Sequence, residues 1–188
     1  QGGHTNATYD EFLRGAQQGV KHATHLFNAM SGFNHRAPGA AGAVLMHPEI
    51  SCEIIADGVH VHPDVVGFLR QVKPLENIVA ITDALKPTGL TDGPFIANGE
   101  EVILDGGVWK RKTDKVIAGS ALTMAQAFKN LVAFGYTPAE AVQLTSTNAA
   151  RLLDVSNKGR LEEGFAADIV LLDPQLNLQA VFLGGKKQ

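Results

Sequence analysis

The stretch Thr24-His25-Leu26-Phe27-Asn28-Ala29-Met30 decides the fold. It closes the apolar-leaning run of residues 20–24, which carries a β-branched residue at each end. Such a run, stopped abruptly by His-x-x-Asn, reads as a buried strand that delivers its last side chain into an open site. His4 lies 25 − 4 = 21 residues upstream, and a helical pattern fills the interval. Thr8-Tyr9-Asp10-Glu11 fits a capping box, in which hydroxyl and carboxylate satisfy the free amides of a helix start. Gly19 is placed to end that helix. The order is therefore His, helix, strand, His. If the strands are parallel, both imidazoles emerge at one end of the sheet, where α/β enzymes keep their chemistry.

The same pattern recurs downstream. Residues 52–56 read as a strand that ends in Asp57-Gly58-Val59-His60, and Pro63 opens a helix with Val65, Val66 and Leu69 on one face. Residues 77–82 read as a further buried strand with Asp83 at its end. Three successive strands thus finish on a His or an Asp, which is the grammar of a (β/α) barrel. Residues 31–42, rich in Gly and including Arg36 and Pro38, read as a long functional loop. After Asp83 the pattern changes. Residues 99–110 predict a hairpin turning on Asp105-Gly106-Gly107, and residues 115–120 lead into a helix over 122–134, stopped by Gly135. Thr137-Pro138 caps another helix, and residues 144–153 continue helical with a break near Asn148. From Gly159 the chain turns strand-like, over 167–172 and 178–183. The expected fold is α/β: residues 1–157 as the C-terminal portion of a TIM-type (β/α)8 barrel of the metal-dependent hydrolase kind, and residues 158–188 as strands of a small β-sandwich domain.

Composition narrows the function. The chain has 188 residues, 45% of them hydrophobic, and a formal net charge of −3, so no electrostatic case for nucleic acid arises. No apolar stretch approaches the ~18 residues of a membrane span, and no signal segment opens the chain, so no membrane partner is expected. Its one cysteine, Cys52, excludes an internal disulfide and suits a reducing cytoplasm. The opening Gln1-Gly2-Gly3-His4 has no initiator methionine and enters at what reads as a strand tip. A chain whose beginning was removed is expected.

The strand tips suggest a chemistry. Two imidazoles on adjacent strand ends can reach one divalent ion at about 2.0–2.1 Å, and such an ion lowers the pKa of water to roughly 7. Asp83 could take that water's proton and pass it to a leaving amine. His60 could polarise a carbonyl or hold the substrate. His4, His25, His60 and Asp83 together make an amide hydrolase. His22, His47 and His62 read as structural, with His22 facing the helices or a neighbour, and Cys52 reads as core.

Several blocks also resemble a family. Gly3-His4-Thr5-Asn6-Ala7, the block from Thr24 to Met30, Asp57-Gly58-Val59-His60, Thr82-Asp83-Ala84 and Ala118-Gly119-Ser120 resemble the N-acetylglucosamine-6-phosphate deacetylases of the amidohydrolase superfamily. The segment from Gly159 to Val170 is similar to that superfamily's closing segment. The resemblance implies that His4 and His25 bind the catalytic divalent metal, zinc first, with iron, manganese or cobalt as alternatives. It implies Asp83 as general base and then general acid, and His60 as the residue polarising the acetyl carbonyl. Asn28 and Ala29 would meet the sugar phosphate, joined by Arg36 from the neighbouring subunit of a homodimer. Ile117, Ala118 and Gly119 would line the sugar pocket. The reaction would release acetate and glucosamine 6-phosphate in amino-sugar catabolism. The family's remaining metal-ligand carboxylate lies upstream of these blocks, so these residues alone are expected to be inactive.

Two rival readings differ in chemistry. An amidohydrolase acting on a cyclic amide would use a metal pair bridged by a modified lysine, and no lysine here stands at a strand tip. A non-catalytic barrel remnant would have no physical need for Asp83 and both metal histidines.

Overall fold

The computed structural model describes residues 1–90 and 93–188. Helix α1 (Tyr9–Gln17) starts at the expected capping box: the Glu11 amide donates to the Thr8 hydroxyl, and the Thr8 amide donates to the Glu11 carboxylate. Three strands follow, β1 (His22–Ala23), β2 (Ser51–Ile55) and β3 (Ile78–Ile81), forming one parallel sheet in that order. Parallel bridges extend it at both edges, Gly2 beside Ala23 and Ala84 beside Ser120. Five chain segments therefore run side by side in sequence order. They form an open arc, and no closed barrel is present among the described residues.

Helices cover one face of the arc. Ala23, Cys52 and Ile54 pack with Val66 and Leu69 of α3 (Pro63–Val72), Leu131 of α4 (Met124–Ala133) and Leu144 in one buried cluster. Strand side chains alternate between faces, so His22, Ser51, Glu53 and Ile55 lie on the other face. Of the two expectations for His22, the helices or a neighbour, the structure gives the neighbour, Ser51 and Glu53 of β2. Cys52 is fully buried, as expected, and burial pushes its thiol up to about 12. In α3, Pro63 occupies the first turn and Val66 and Leu69 are buried, while Val65 is exposed.

The long loop ends sooner than its glycines suggested. Helix α2 (Gly39–Met46) begins inside residues 31–42. Here glycine serves packing: a Cβ on Gly39 would lie 2.7 Å from the carbonyl oxygens of Ser31 and Gly32, and one on Gly42 would meet Pro38 at 2.4 Å. Beyond β3 a four-stranded antiparallel sheet forms from β4 (Phe95–Ala97), β5 (Glu100–Asp105), β6 (Val108–Arg111) and β7 (Ile117–Ser120). The β5–β6 hairpin turns on Gly106 and Gly107, both with positive φ, since Asp105 still pairs with Val108. Trp109 is buried there, edge-on to Phe95 at 5.7 Å.

Thr123 caps α4, which delays its start relative to the sequence expectation. Helix α5 (Pro138–Val142) opens on a second capping box, Thr137 with Glu140, and passes through a π-helical turn, Gln143–Thr147, into α6 (Asn148–Leu152). The break expected near Asn148 is that wide turn. The buried Asn148 amide donates to the carbonyls of Leu75 and Ile78, pinning α6 to the start of β3. The last strands, β8 (Ile169–Leu172), β9 (Leu178–Leu183) and β10 (Lys186–Lys187), make an antiparallel sheet. It adds no residue to the buried clusters, and Val170, Leu171, Leu178 and Leu183 are exposed. No helix among the described residues is long and apolar enough to cross a membrane.

Candidate active site

The parallel sheet brings His25, Asp57 and Asp83 out at one end, because each follows the C-terminal end of its own strand. Strand spacing of about 4.8 Å puts the β1 and β3 tips roughly 10 Å apart.

His4 and His25 meet directly, with ring centroids 4.8 Å apart and planes crossing at 79°. Two short ladders force the meeting. Below it, the Gly2 amide donates to the His22 carbonyl and the Thr24 amide to the Gly2 carbonyl. Above it, the Thr5 amide donates to Ala29 and the Ser31 amide to Thr5. Between these rungs both histidines adopt left-handed backbone, φ 45° at His4 and 28° at His25, which side chains other than glycine rarely take. Gly3 is required, since a Cβ there would lie 1.8 Å from the Thr24 hydroxyl. His25 Nδ1 stands 3.2 Å from the Asn28 carbonyl, so Nδ1 carries the proton and Nε2 keeps its lone pair. A metal-ligating histidine is oriented in this way. The two imidazoles fit a divalent ion as part of its ligand set. Among the described residues no group of three or more His, Cys, Asp or Glu is placed to hold one.

Below this pair, Glu53 accepts from the His25 amide at 3.2 Å and faces His22 Nε2 at 3.1 Å. The Ser51 hydroxyl donates to the Lys21 carbonyl and meets His22 Nδ1 at 2.7 Å. Burial pushes the Glu53 carboxyl up, but the His22 contact and the His25 amide outweigh it and hold the group low.

Asn28 is tied into its own loop. Its side-chain nitrogen donates to the carbonyls of His25 and Leu26, bracing the loop, and only Oδ1 remains for a ligand. Ala29, at φ 49°, lends its carbonyl to Thr5, and its amide donates to no partner among the described residues.

On β2's exit, Asp57 and His60 form a pair, Oδ2 to Nδ1 at 2.6 Å, with side chains 5% and 7% exposed. Beyond β3, Asp83 is exposed, with φ 47°. Its carbonyl accepts from the Ser120 amide, and the Ser120 hydroxyl donates to the Thr82 carbonyl. A Cβ on Gly119 would lie 2.7 Å from Leu85 and 3.1 Å from the Asp83 carbonyl oxygen. Ile117, Ala118 and Gly119 of β7 thus run beside the Asp83 loop. Arg36 stands apart, on an exposed turn bridged between Asn34 and Ala37, with no ion pair among the described residues.

The model of the Amidohydrolase family matches residues 1–187. The chain belongs to the amidohydrolase family. An N-acetylglucosamine-6-phosphate deacetylase of Lysinibacillus sphaericus is 36% identical over 98% of this chain and 48% of its own length. An N-acetylgalactosamine-6-phosphate deacetylase of Escherichia coli O157:H7 is 39% identical over 98% of this chain and 49% of its own. Among solved structures, a Mycobacterium smegmatis N-acetyl-D-glucosamine-6-phosphate deacetylase variant, in complex with N-acetyl-D-glucosamine-6-phosphate, superposes with TM-score 0.92 at 36% identity, covering 98% of this chain and 50% of that one. The Thermotoga maritima N-acetylglucosamine-6-phosphate deacetylase gives 0.91 at 35%, covering 98% and 51%. The chain spans about half the length of each of these relatives.

Within this amidohydrolase arc, sequence reasoning missed Glu53, Ser51 and the part played by His22. The signal was present: Ser51, Glu53 and Ile55 alternate with the apolar Cys52 and Ile54, so a carboxylate on an apolar-flanked strand marked the face opposite the helices. Asp57 was read only as part of a motif, although an Asp three residues before a His in a Gly-containing turn can reach that ring.

Proposed function

We propose that the protein containing this chain hydrolyses the N-acetyl group of N-acetylglucosamine 6-phosphate, giving glucosamine 6-phosphate and acetate in cytoplasmic amino-sugar catabolism. One observation carries the reading: His4 and His25 meet at 4.8 Å, with Nδ1 of His25 committed to the Asn28 carbonyl. In this reading residues 1–157 are part of a catalytic (β/α)8 TIM barrel, and residues 158–188 are strands of a small β-sandwich domain.

His4 and His25 hold a divalent metal, zinc first, with iron, manganese and cobalt as alternatives. When bound, the ion supplies Lewis-acid activation of water at neutral pH. Asp83 takes the proton of the attacking water as its oxygen adds to the acetyl carbon, then delivers that proton to the sugar nitrogen as the C–N bond breaks. The Ser120 bonds to the Thr82–Asp83 backbone keep that carboxylate at the strand tip. His60 contacts the acetamido group. The Ala29 amide donates to the sugar phosphate, Asn28 braces that loop through its bonds to the His25 and Leu26 carbonyls, Arg36 of a second subunit in a homodimer neutralises the phosphate, and residues 117–119 line the sugar.

A second reading has a specific support: the Escherichia coli relative at 39% identity is named for N-acetylgalactosamine 6-phosphate. The two sugars differ only at C4. Acetate release by the intact protein, measured with each sugar phosphate, tests both. Turnover favouring the gluco sugar is expected, and it should vanish in Asp83→Asn with bound metal unchanged. A preference for the galacto sugar establishes the second reading, and no acetate from either removes both.

A further inference from the structure

We propose that Asp57 is a positioning residue for His60, holding the imidazole with its proton on Nδ1 and leaving Nε2 as the nitrogen that meets the ligand. Asp57 Oδ2 is 2.6 Å from His60 Nδ1, and both side chains are nearly closed to solvent. Asp57 Oδ1 accepts from the amides of Val59 at 2.9 Å and His60 at 2.8 Å, so the carboxylate cannot swing away. An ionised carboxylate only accepts, so the bond at Oδ2 requires a proton on Nδ1.

His60 Nε2 has no hydrogen-bond partner among the described residues. No buried side-chain nitrogen or oxygen there lacks a partner, so Nε2 opens to solvent. The consequence is chemical. The neutral ring offers a lone pair at Nε2, an acceptor for an amide N–H or a hydroxyl. It donates to a carbonyl oxygen only when Nε2 also carries a proton. The inference deepens the deacetylase reading and rests on it for the contact between His60 and the acetamido group.

Asp57→Asn separates positioning from turn-building. Asparagine keeps Oδ1 for the Val59 and His60 amides but puts an NH2 donor opposite Nδ1, which moves the ring proton to Nε2. The experiment is NMR of the intact protein with 15N-labelled histidine rings, the His60 signals identified by their loss in His60→Gln. Above the pH at which the ring is neutral, the native protein should show protonated Nδ1 and Asp57→Asn protonated Nε2. The kcat for acetate release should fall about a hundredfold in Asp57→Asn, with bound metal unchanged. Protonated Nε2 in the native protein, or one tautomer in both proteins, would overturn the proposal. The native spectrum alone decides this if the variant fails to accumulate. A switched tautomer with unchanged kcat would also overturn it, by removing His60 from the reaction. A native protein inactive on both sugars would instead defeat the deacetylase reading, while the ring spectra still report the Asp57–His60 pair.

Discussion

His4, His25, Ala29 and Asp83 share a backbone conformation that costs roughly 1–3 kcal/mol where the side chain is not glycine. The Thr5 amide holds Ala29 there, the Glu53 carboxylate holds the His25 amide and the Ser120 amide holds Asp83, while His4 lies between the rungs made by Gly2 and Thr5. Side-chain electrostatics at the same end give a pH signature. Burial pushes the Asp57 carboxyl up, but the hydrogen bonds from His60 Nδ1 and the Val59 and His60 amides outweigh it and hold it low. Asp57 therefore binds a proton less readily folded than unfolded. Its stabilising contribution is complete above the unfolded pKa of about 4 and is lost as pH falls through the lower folded value. Urea midpoints taken from about pH 6 down to about pH 3 should fall less steeply for Asp57→Asn than for the native protein. Equal acid sensitivity would contradict the shift. Among single residues, His25 and Asp83 were placed at strand tips from the sequence because each follows an apolar-leaning run, and His4 because one helical pattern separates it from the strand that ends at His25. Glu53 could not be linked to His25, since 28 residues separate them and only strand pairing brings them together.

Local rules wrote most of the secondary structure. The capping box at Thr8, the cap at Thr137, a first-turn proline and the glycine hairpin turn all stand where the sequence placed them. Helix α2 escaped notice because Gly39 and Gly42, which usually signal loop, are there to admit Ser31, Gly32 and Pro38 at close range. Lys73 gave no local signal at all. It is buried, and its ammonium donates to the carbonyls of Val44, His47, Pro48 and Ile50, closing the C-terminal end of α2 and the turn after it. Burial holds its pKa below the usual lysine value. Lys73→Met keeps much of the side chain's length and removes the donors, so it leaves those carbonyls unsatisfied. A loss of about 2–4 kcal/mol is expected by chemical denaturation. A loss below about 0.5 kcal/mol would show that water replaces the ammonium without penalty.

The arc as a whole was readable from the repeat of strand, polar tip and helix. The (β/α)8 barrel and the small β-sandwich go further than the sheets of the described residues, which are one open parallel arc and two antiparallel sheets. Two histidines are one protein ligand short of the three that catalytic zinc usually has, and the described residues supply no group of three. The 188 residues alone are therefore expected to bind zinc weakly and to release no acetate. Calorimetric titration with zinc and an acetate assay check both. Tight binding with full turnover would contradict the ligand count.

The account depends on His4 and His25 gripping one ion while Asp83 moves protons beside it. The most direct test is the metal content of the intact protein after exhaustive dialysis, compared among the native form, His4→Asn, His25→Asn and Asp83→Asn. The account predicts bound metal in the native protein and Asp83→Asn, and its loss in both histidine variants. Native metal content in either histidine variant would contradict it.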